Sequence, residues 1–249
     1  MITLKSSREL DIMRDASKIV AGVLLELRAH CVPGVKTSDL DRIAEEYTKK
    51  QGGRPAFKGY RGFPGSLCAS VNQEVVHGIP RDRELLEGDI VGLDFGAVYN
   101  GYYGDAAITV PIGRITPEVE KLLRTTEESL YLGIEQMLAG NHLADISRAI
   151  ERHAESHGYS VVKELGGHGI GKKLHEDPMV LNYVVNGRGI KLRPGLVLAV
   201  EPMVNMGTDQ VRVLSDGWTV VTLDGKPSAH FEHTVAITEN GPEILTRVS

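Results

Sequence analysis

Apolar and polar positions along this chain repeat with two different periods, and the periods change in a fixed order. Over the first 30 residues, Leu10, Met13, Val20, Val23 and Leu24 recur mostly at helical spacing on one face. Ser6 followed by Glu9 supplies a capping box for that helix. A second helix is predicted from about Ser38 to Lys50, with Leu40, Ile43, Ala44 and Tyr47 inward and Gly52-Gly53 beyond its end. Residues 55–112 are rich in turns and two-residue alternation and read as mostly strand. Thr116 as N-cap and Pro117 at N1 open a third helix that runs to about Leu138. A fourth is expected from Asp145 to His157, stopping at Gly158, and strands dominate from there to the C-terminus.

The order helix, helix, strands therefore occurs twice. Displacing the chain by 106 residues lays Gly34 on Gly140, Asp39 on Asp145, Leu40 on Ile146, Arg42 on Arg148, Glu45 on Glu151 and Gly52 on Gly158. At an offset of 107, the run Gly-Asp-Ile-Val-Gly-Leu-Asp94 lies over Gly-Leu-Val-Leu-Ala-Val-Glu201. The expectation is one domain over residues 1–249, built from two α+β halves of roughly 1–112 and 113–249. Asp94 and Glu201 would face each other across a pseudo-twofold axis.

Composition narrows the class. With 249 residues, 41% hydrophobic and 24% charged, the chain is neither disordered nor fibrous, and it is long enough for a large core. No apolar run approaches the roughly 20 residues of a membrane span, and MITLKSSREL has no apolar stretch of the secretory type. A net charge of −5 without any basic tract argues against nucleic acid as the main ligand. Cys31 and Cys68 are too few for a disulfide framework and lack zinc-finger spacing. A cytoplasmic globular enzyme or binding protein fits these facts.

The chemistry starts from a hairpin. Asn100-Gly101 predicts a two-residue loop, so Tyr99 pairs with Tyr102 and Asp94 lies opposite Ala107. Asp105 then shares a face with Asp94 as its diagonal neighbour, amid Ile90, Val91, Leu93, Ala107 and Ile108. Two carboxylates converging in an apolar setting need a proton or a cation between them. Glu201 ends the apolar run Leu196–Val200 ahead of Pro202, and Glu232 sits in Phe231-Glu-His-Thr-Val235. Four carboxylates in strand-like runs suggest a shared counter-ion. Oxygen donors suit Mn, and an added imidazole widens the choice to Fe, Co and Zn.

Among the histidines, His30, His142, His153 and His157 lie on helices or their ends and read as surface residues. His77 ends a strand before Gly78, while His168 and His175 stand in a glycine-rich run beginning at Gly166, where small residues allow close backbone approach. That run narrowly misses a phosphate-binding loop: Lys173 follows Lys172 where Ser or Thr is required, and Pro178 arrives too soon for the helix. HExxH and GxSxG are absent.

Asp94, Asp105, His168, Glu201 and Glu232, in that order and spacing, resemble the five metal ligands of the methionine aminopeptidases. The surrounding words match as well: VNQEVVHGIP, GDIVGLDFGAVYNGYYGDAA, GGHGIGKKLHEDP, LAVEPMVN, DGWTV and SAHFEHTVAIT. The resemblance covers nearly the whole chain. It is to the short type I form, because 25 residues between His175 and Glu201 leave no room for the type II helical insertion. It implies the α+β pita-bread fold, with pseudo-symmetric halves and a central antiparallel sheet covered by helices.

The same resemblance implies two divalent transition-metal ions (Co, Mn, Fe or Zn), with Asp105 and Glu232 bridging, Asp94 on one ion, and His168 with Glu201 on the other. Glu201 would also shuttle a proton, His77 would contact the scissile amide nitrogen, and His175 would hold the carbonyl oxygen. Phe57, Tyr60, Phe63, Cys68, Leu174 and Trp218 would line the methionine pocket, where Leu174 departs from the aromatic of relatives. A monovalent cation is implied near Asn72 and Ser228. The implied substrates are N-terminal Met peptides and nascent chains with a small second residue, met in the cytoplasm by a monomer in transient contact with the ribosome. Because Ile2 is bulky, the chain is expected to keep its own Met1. Two rival readings are an aminopeptidase for Xaa-Pro substrates on the same fold, and a silent binding protein that has lost the metal; all five ligand positions remain filled here.

Overall fold

The Ser6–Glu9 pair caps the first helix as its spacing predicts: Ser6 Oγ accepts from the Glu9 amide, and the Glu9 carboxylate accepts from the Ser6 amide. In the computed structural model, which describes residues 2–247 and so leaves Met1 outside, that helix is α1 (Ser7–His30). Helix α2 (Thr37–Lys50) buries Leu40 and Ala44 and rests Ile43 and Tyr47 half-buried on the same core. Helix α3 (Pro117–Glu135) starts on the Thr116 cap but ends before the expected Leu138, whose side chain is largely exposed and offers no burial to extend for. Helix α4 (Leu143–Ser156) begins two residues earlier than expected. Asp145 lies inside its first turn, where its carboxylate accepts from the His142 amide.

This capping half-buries His142, and contacts between α3 and α4 half-bury His153 and His157. Of the four histidines read as surface residues, only His30 is fully so.

Among the described residues, nine antiparallel strands form the central sheet: β1 (Arg54–Pro55), β2 (Cys68–Val71), β3 (Ile90–Tyr99), β4 (Tyr102–Pro111), β5 (Gly166–Gly169), β6 (Glu176–Leu181), β7 (Val197–Val200), β8 (Glu232–Thr238) and β9 (Gly241–Ile244). Their order is β1-β3-β4-β8-β7-β5-β6, with β2 also on β3 and β9 also on β8. The run Gly166–Lys173 opens no helix; β6 follows it, which disposes of the phosphate-loop pattern.

Alternation assigns the two faces of this sheet. Val91, Leu93 and Phe95 point into a core shared with Val20, Leu24, Leu27 and Leu40 of the first helix pair. Leu198, Val200, Val235 and Ile237 point the same way, into a core with Leu122, Leu130, Ile146 and Ile150 of the second pair. Ile108 packs against both. Each helix pair thus covers its own stretch of one sheet face. The residues between, Asp94, Asp105, Glu232 and Thr234, are left on the other face.

Candidate metal centre and active site

The hairpin register is the predicted one: Tyr99 pairs with Tyr102, Asp94 with Ala107 and Gly96 with Asp105. Two further pairings extend the row. Ala107 faces Glu232 across β4 and β8, and His233 faces Val200 across β8 and β7. Continuing that last register by one step sets Glu201 beside Glu232. The same register resumes beyond, where Met203 pairs with His230. Pro202, lacking an amide proton, interrupts the ladder between them, so both glutamates stand at a kink in one long two-stranded ribbon.

One row therefore reads Asp94, Ala107, Glu232, Glu201. The adjacent row on the same face holds Asp105, Thr234, Ala199 and His168, the last through the pairing of His168 with Ala199. Close strand approach at His168 depends on its glycines: a Cβ on Gly167 would lie 2.2 Å from the Ala199 carbonyl oxygen, and one on Gly169 2.2 Å from that of Asp177.

Ligand atoms of Asp105, His168 and Glu232 lie within 4.8 Å of one another. His168 Nε2 is 3.7 Å from Glu201 Oε1 and 4.0 Å from Asp105 Oδ2. The His168 Nδ1 faces the Gly169 carbonyl at 2.9 Å; a carbonyl only accepts, so Nδ1 carries the proton and Nε2 turns a lone pair to the carboxylates. Asp94 Oδ1, Asp105 Oδ1 and Glu232 Oε1 are buried without a hydrogen-bond partner among the described residues. A cluster made of acceptors alone, with orphaned oxygens, is satisfied only by protons or by cations. This donor set fits divalent metal.

Without metal, burial pushes the Asp94 carboxyl up to about 7. Burial, then the charges of their neighbours, drives Asp105 and Glu232 well above the carboxylate range. Burial acts on Glu201 in the same sense, but the imidazoles of His230 and His168 outweigh it and hold that carboxyl low.

A cavity of about 150 Å³ opens onto these groups. Phe57, Tyr60, Phe63, Cys68, Leu174 and Trp218 all line it, together with His77 and His175. That volume equals about five waters and suits one side chain, well below the several hundred Å³ of a cofactor cleft. Phe63 and Trp218 meet edge to face at 5.1 Å, and Cys68 pairs directly with Asp94 across β2 and β3. His77 holds a left-handed backbone, φ 59°, a strain that non-glycine residues adopt chiefly where the surroundings enforce it. His175 stands at the rim, its Nδ1 2.9 Å from the Tyr60 hydroxyl and its ring stacked on Tyr60. A larger cleft of about 500 Å³, lined by Lys5, Lys172 and Lys173, adjoins the cavity at His175. Near Asn72, the Ser228 amide donates to the Asn72 carbonyl at 3.0 Å.

The model of metallopeptidase family M24 matches residues 11–239. The chain belongs to this family, among its methionine aminopeptidases. Methionine aminopeptidase 1 of Bacillus subtilis is 55% identical over 248 residues, covering 100% of both chains, and the Clostridium perfringens enzyme is equally similar over the same span. The crystal structure of the Thermotoga maritima methionine aminopeptidase superposes with a TM-score of 0.97 at 47% identity, covering 100% of both chains. The prolidase of Pyrococcus furiosus, at 22% identity and a TM-score of 0.81, shares the pita-bread fold but is covered over only 66% of its length.

For this methionine aminopeptidase fold the sequence reading missed two neighbours of the cluster. His230 is buried, with Nε2 unpartnered and 3.6 Å from Glu201 Oε2. Thr234 locks the Asp105 backbone, donating to its carbonyl at 2.7 Å and accepting from its amide at 3.0 Å. Period-two spacing from Glu232 pointed at both residues. For His230 the break in the ladder hid it.

The shifted groups set how stability of the metal-free protein depends on pH. Asp94, Asp105 and Glu232 are raised in the fold, so the stability they contribute is lost as pH rises through their folded values. Desolvation lowers His77, His175 and His233, so their contribution is lost as pH falls below the usual histidine range. The two sets oppose each other below about pH 6.5, and above it only the carboxyls act. Metal-stripped protein is therefore expected to melt at a lower temperature at pH 8 than at pH 6.5, with divalent metal removing most of that slope. Circular dichroism melts with and without Mn²⁺ test this; a melting temperature that climbs with pH in stripped protein would exclude the carboxyl cluster as the controlling feature.

Proposed function

We propose that this chain removes the N-terminal methionine from peptides and nascent proteins whose second residue is small. The observation that carries the proposal is an acceptor-only cluster of four carboxylates and His168 at the floor of a cavity sized for one apolar side chain. In this reading Asp105 and Glu232 would hold two divalent ions in common, Asp94 would complete one, and His168 with Glu201 the other. Bound ions would offset the four negative charges and make water acidic enough to supply hydroxide near neutral pH. Which of Co, Mn, Fe or Zn serves in the cell is decided by availability, since this ligand set accepts all four.

The remaining work falls to the chain's own side chains. Glu201, kept low by its histidine neighbours, accepts a proton from the attacking water and returns it to the leaving amine. His175 is neutral, since desolvation pushes it down to about 4. In the tautomer that accepts from the Tyr60 hydroxyl at Nδ1, its Nε2 carries the ring proton and donates to the scissile carbonyl oxygen. His77, also held neutral by burial, accepts from the scissile amide. The methionine thioether rests against the edges of Phe63 and Trp218, a favourable sulfur–aromatic contact. Acting on nascent chains places the protein in the cytoplasm, as a monomer that meets the ribosome transiently; among the described residues no helix is long and apolar enough to cross a membrane.

The test is a competition assay on metal-stripped protein reconstituted separately with Mn²⁺, Co²⁺ and Fe²⁺. Met-Ala-Ser and Gly-Pro-Ala are supplied together and the released amino acids quantified. Metal-dependent release of methionine without glycine is expected. Glycine release would move the chain to the proline-specific branch of the fold, and no release with any ion would leave a binding protein.

A further inference from the structure

A second group of metal-ligating side chains lies on the helical side of the sheet, away from the cavity. Helices α3 and α4 close tightly at Gly133, where a Cβ would fall 2.9 Å from the Ile150 side chain. The helices run antiparallel there, so Glu128, about a turn before Gly133, meets His153, about a turn after Ile150. His153 Nε2 is 3.1 Å from Glu128 Oε2; an acceptor-only carboxylate there means the metal-free ring donates from Nε2, and a bound ion takes the place of that proton. His157 follows His153 by four residues, the spacing that stacks side chains on one helical face, and the two rings lie 4.5 Å apart between centroids. One ligand atom from each of Glu128, His153 and His157 lies within 4.8 Å of the others.

The ring tautomer of His157 is compatible with ligation. Its Nδ1 faces the His153 carbonyl at 2.9 Å. The carbonyl can only accept, so Nδ1 holds the ring proton and Nε2 keeps its lone pair, the arrangement that characterises metal-binding imidazoles. We propose that Glu128, His153 and His157 form a divalent-metal site of their own, for a borderline ion such as Zn²⁺, Ni²⁺ or Co²⁺ with water completing its shell. Two imidazoles and one carboxylate suit those ions better than the carboxylate-rich cavity does. Arg124, 4.0 Å from Glu128 Oε1, does not block the site, because that exposed pair contributes little. A bound ion clamps α3 to α4 and stabilises the fold by mass action.

The test is equilibrium dialysis of the metal-stripped full chain against Zn²⁺, with a Zn²⁺-dependent thermal shift as second readout. The double variant His153→Gln/His157→Gln is expected to bind one equivalent fewer and to lose part of the thermal shift, while methionine release at fixed Mn²⁺ is unchanged. Glu128→Gln changes a single exposed side chain, so folding is not at issue. It is expected to weaken that equivalent by at least about tenfold. Asp105→Asn is expected to keep it. Unchanged stoichiometry in the double variant, or loss of this equivalent in Asp105→Asn instead, overturns the proposal.

Discussion

Replacing Asp105 by Asn is expected to abolish methionine release and, in the same protein stripped of metal, to raise the melting temperature. The two effects have one origin. Asp105 sits at the centre of the cluster, with Glu232 in the adjacent row, His168 Nε2 at 4.0 Å and one carboxylate oxygen buried without a partner. Its carboxyl is held well above the usual range by burial and by the charges of Asp94 and Glu201. The native side chain is thus a source of repulsion unless a cation is present. An amide of the same shape removes a charge and cannot bridge two ions.

Lewis-acid stabilisation supplies several kcal/mol, so at about 1.4 kcal/mol per decade the rate should fall by about a thousandfold or more. Stability should move the other way. At this chain length each kcal/mol shifts the melting temperature by roughly 2–4 °C, so a gain of a few degrees at pH 7.5 is expected. Activity, metal content by atomic absorption and a melt of the stripped protein decide the matter together. A variant that loses activity but also melts lower when stripped would make Asp105 a structural residue.

How far the site could be read from the sequence follows how local each pairing is. Asn100-Gly101 fixed the β3–β4 register, and with it the shared face of Asp94 and Asp105, because a two-residue loop leaves no freedom in pairing. The Ser6–Glu9 capping box and Thr116-Pro117 located the starts of α1 and α3 for the same reason, while α4, read without a cap, starts two residues before the expected Asp145. By contrast, the row joining Glu232 to Ala107 and Glu201 to Glu232 spans more than a hundred residues on one side and about thirty on the other. No local period encodes such a pairing; the family resemblance supplied it. His230 stands two residues before Glu232, but Phe231 carries the chain from one sheet into another, so spacing alone does not say that His230 reaches the cluster. Helix α3 stops at Glu135, short of the expected Leu138, which the fold leaves at the surface.

The second large effect belongs to His175, and its direction separates catalysis from ligation. His175→Ala is expected to lower kcat by about a hundred- to a thousandfold, the usual cost of a lost oxyanion donor at about 3–4 kcal/mol, with metal stoichiometry unchanged. The geometry supports that split. The ring stands at the cavity rim, 4.2 Å from the His168 ring between centroids, and its Nδ1 is occupied by the Tyr60 hydroxyl. That leaves Nε2 to face inward, and in the tautomer where Tyr60 donates to Nδ1 the ring proton sits on Nε2, which then donates and cannot ligate. Tyr60→Phe provides the graded control. It keeps the stacked ring but removes the hydroxyl bonded to Nδ1, so kcat should drop by a smaller factor of about tenfold, the lower end of what a supporting hydrogen bond contributes. Metal titration beside steady-state kinetics on Met-Ala-Ser reads both quantities. If His175→Ala loses metal in proportion to rate, His175 is a ligand and the carbonyl oxygen is held by some other group; if kcat survives and only KM rises, its contribution is uniform binding rather than stabilisation of the transition state.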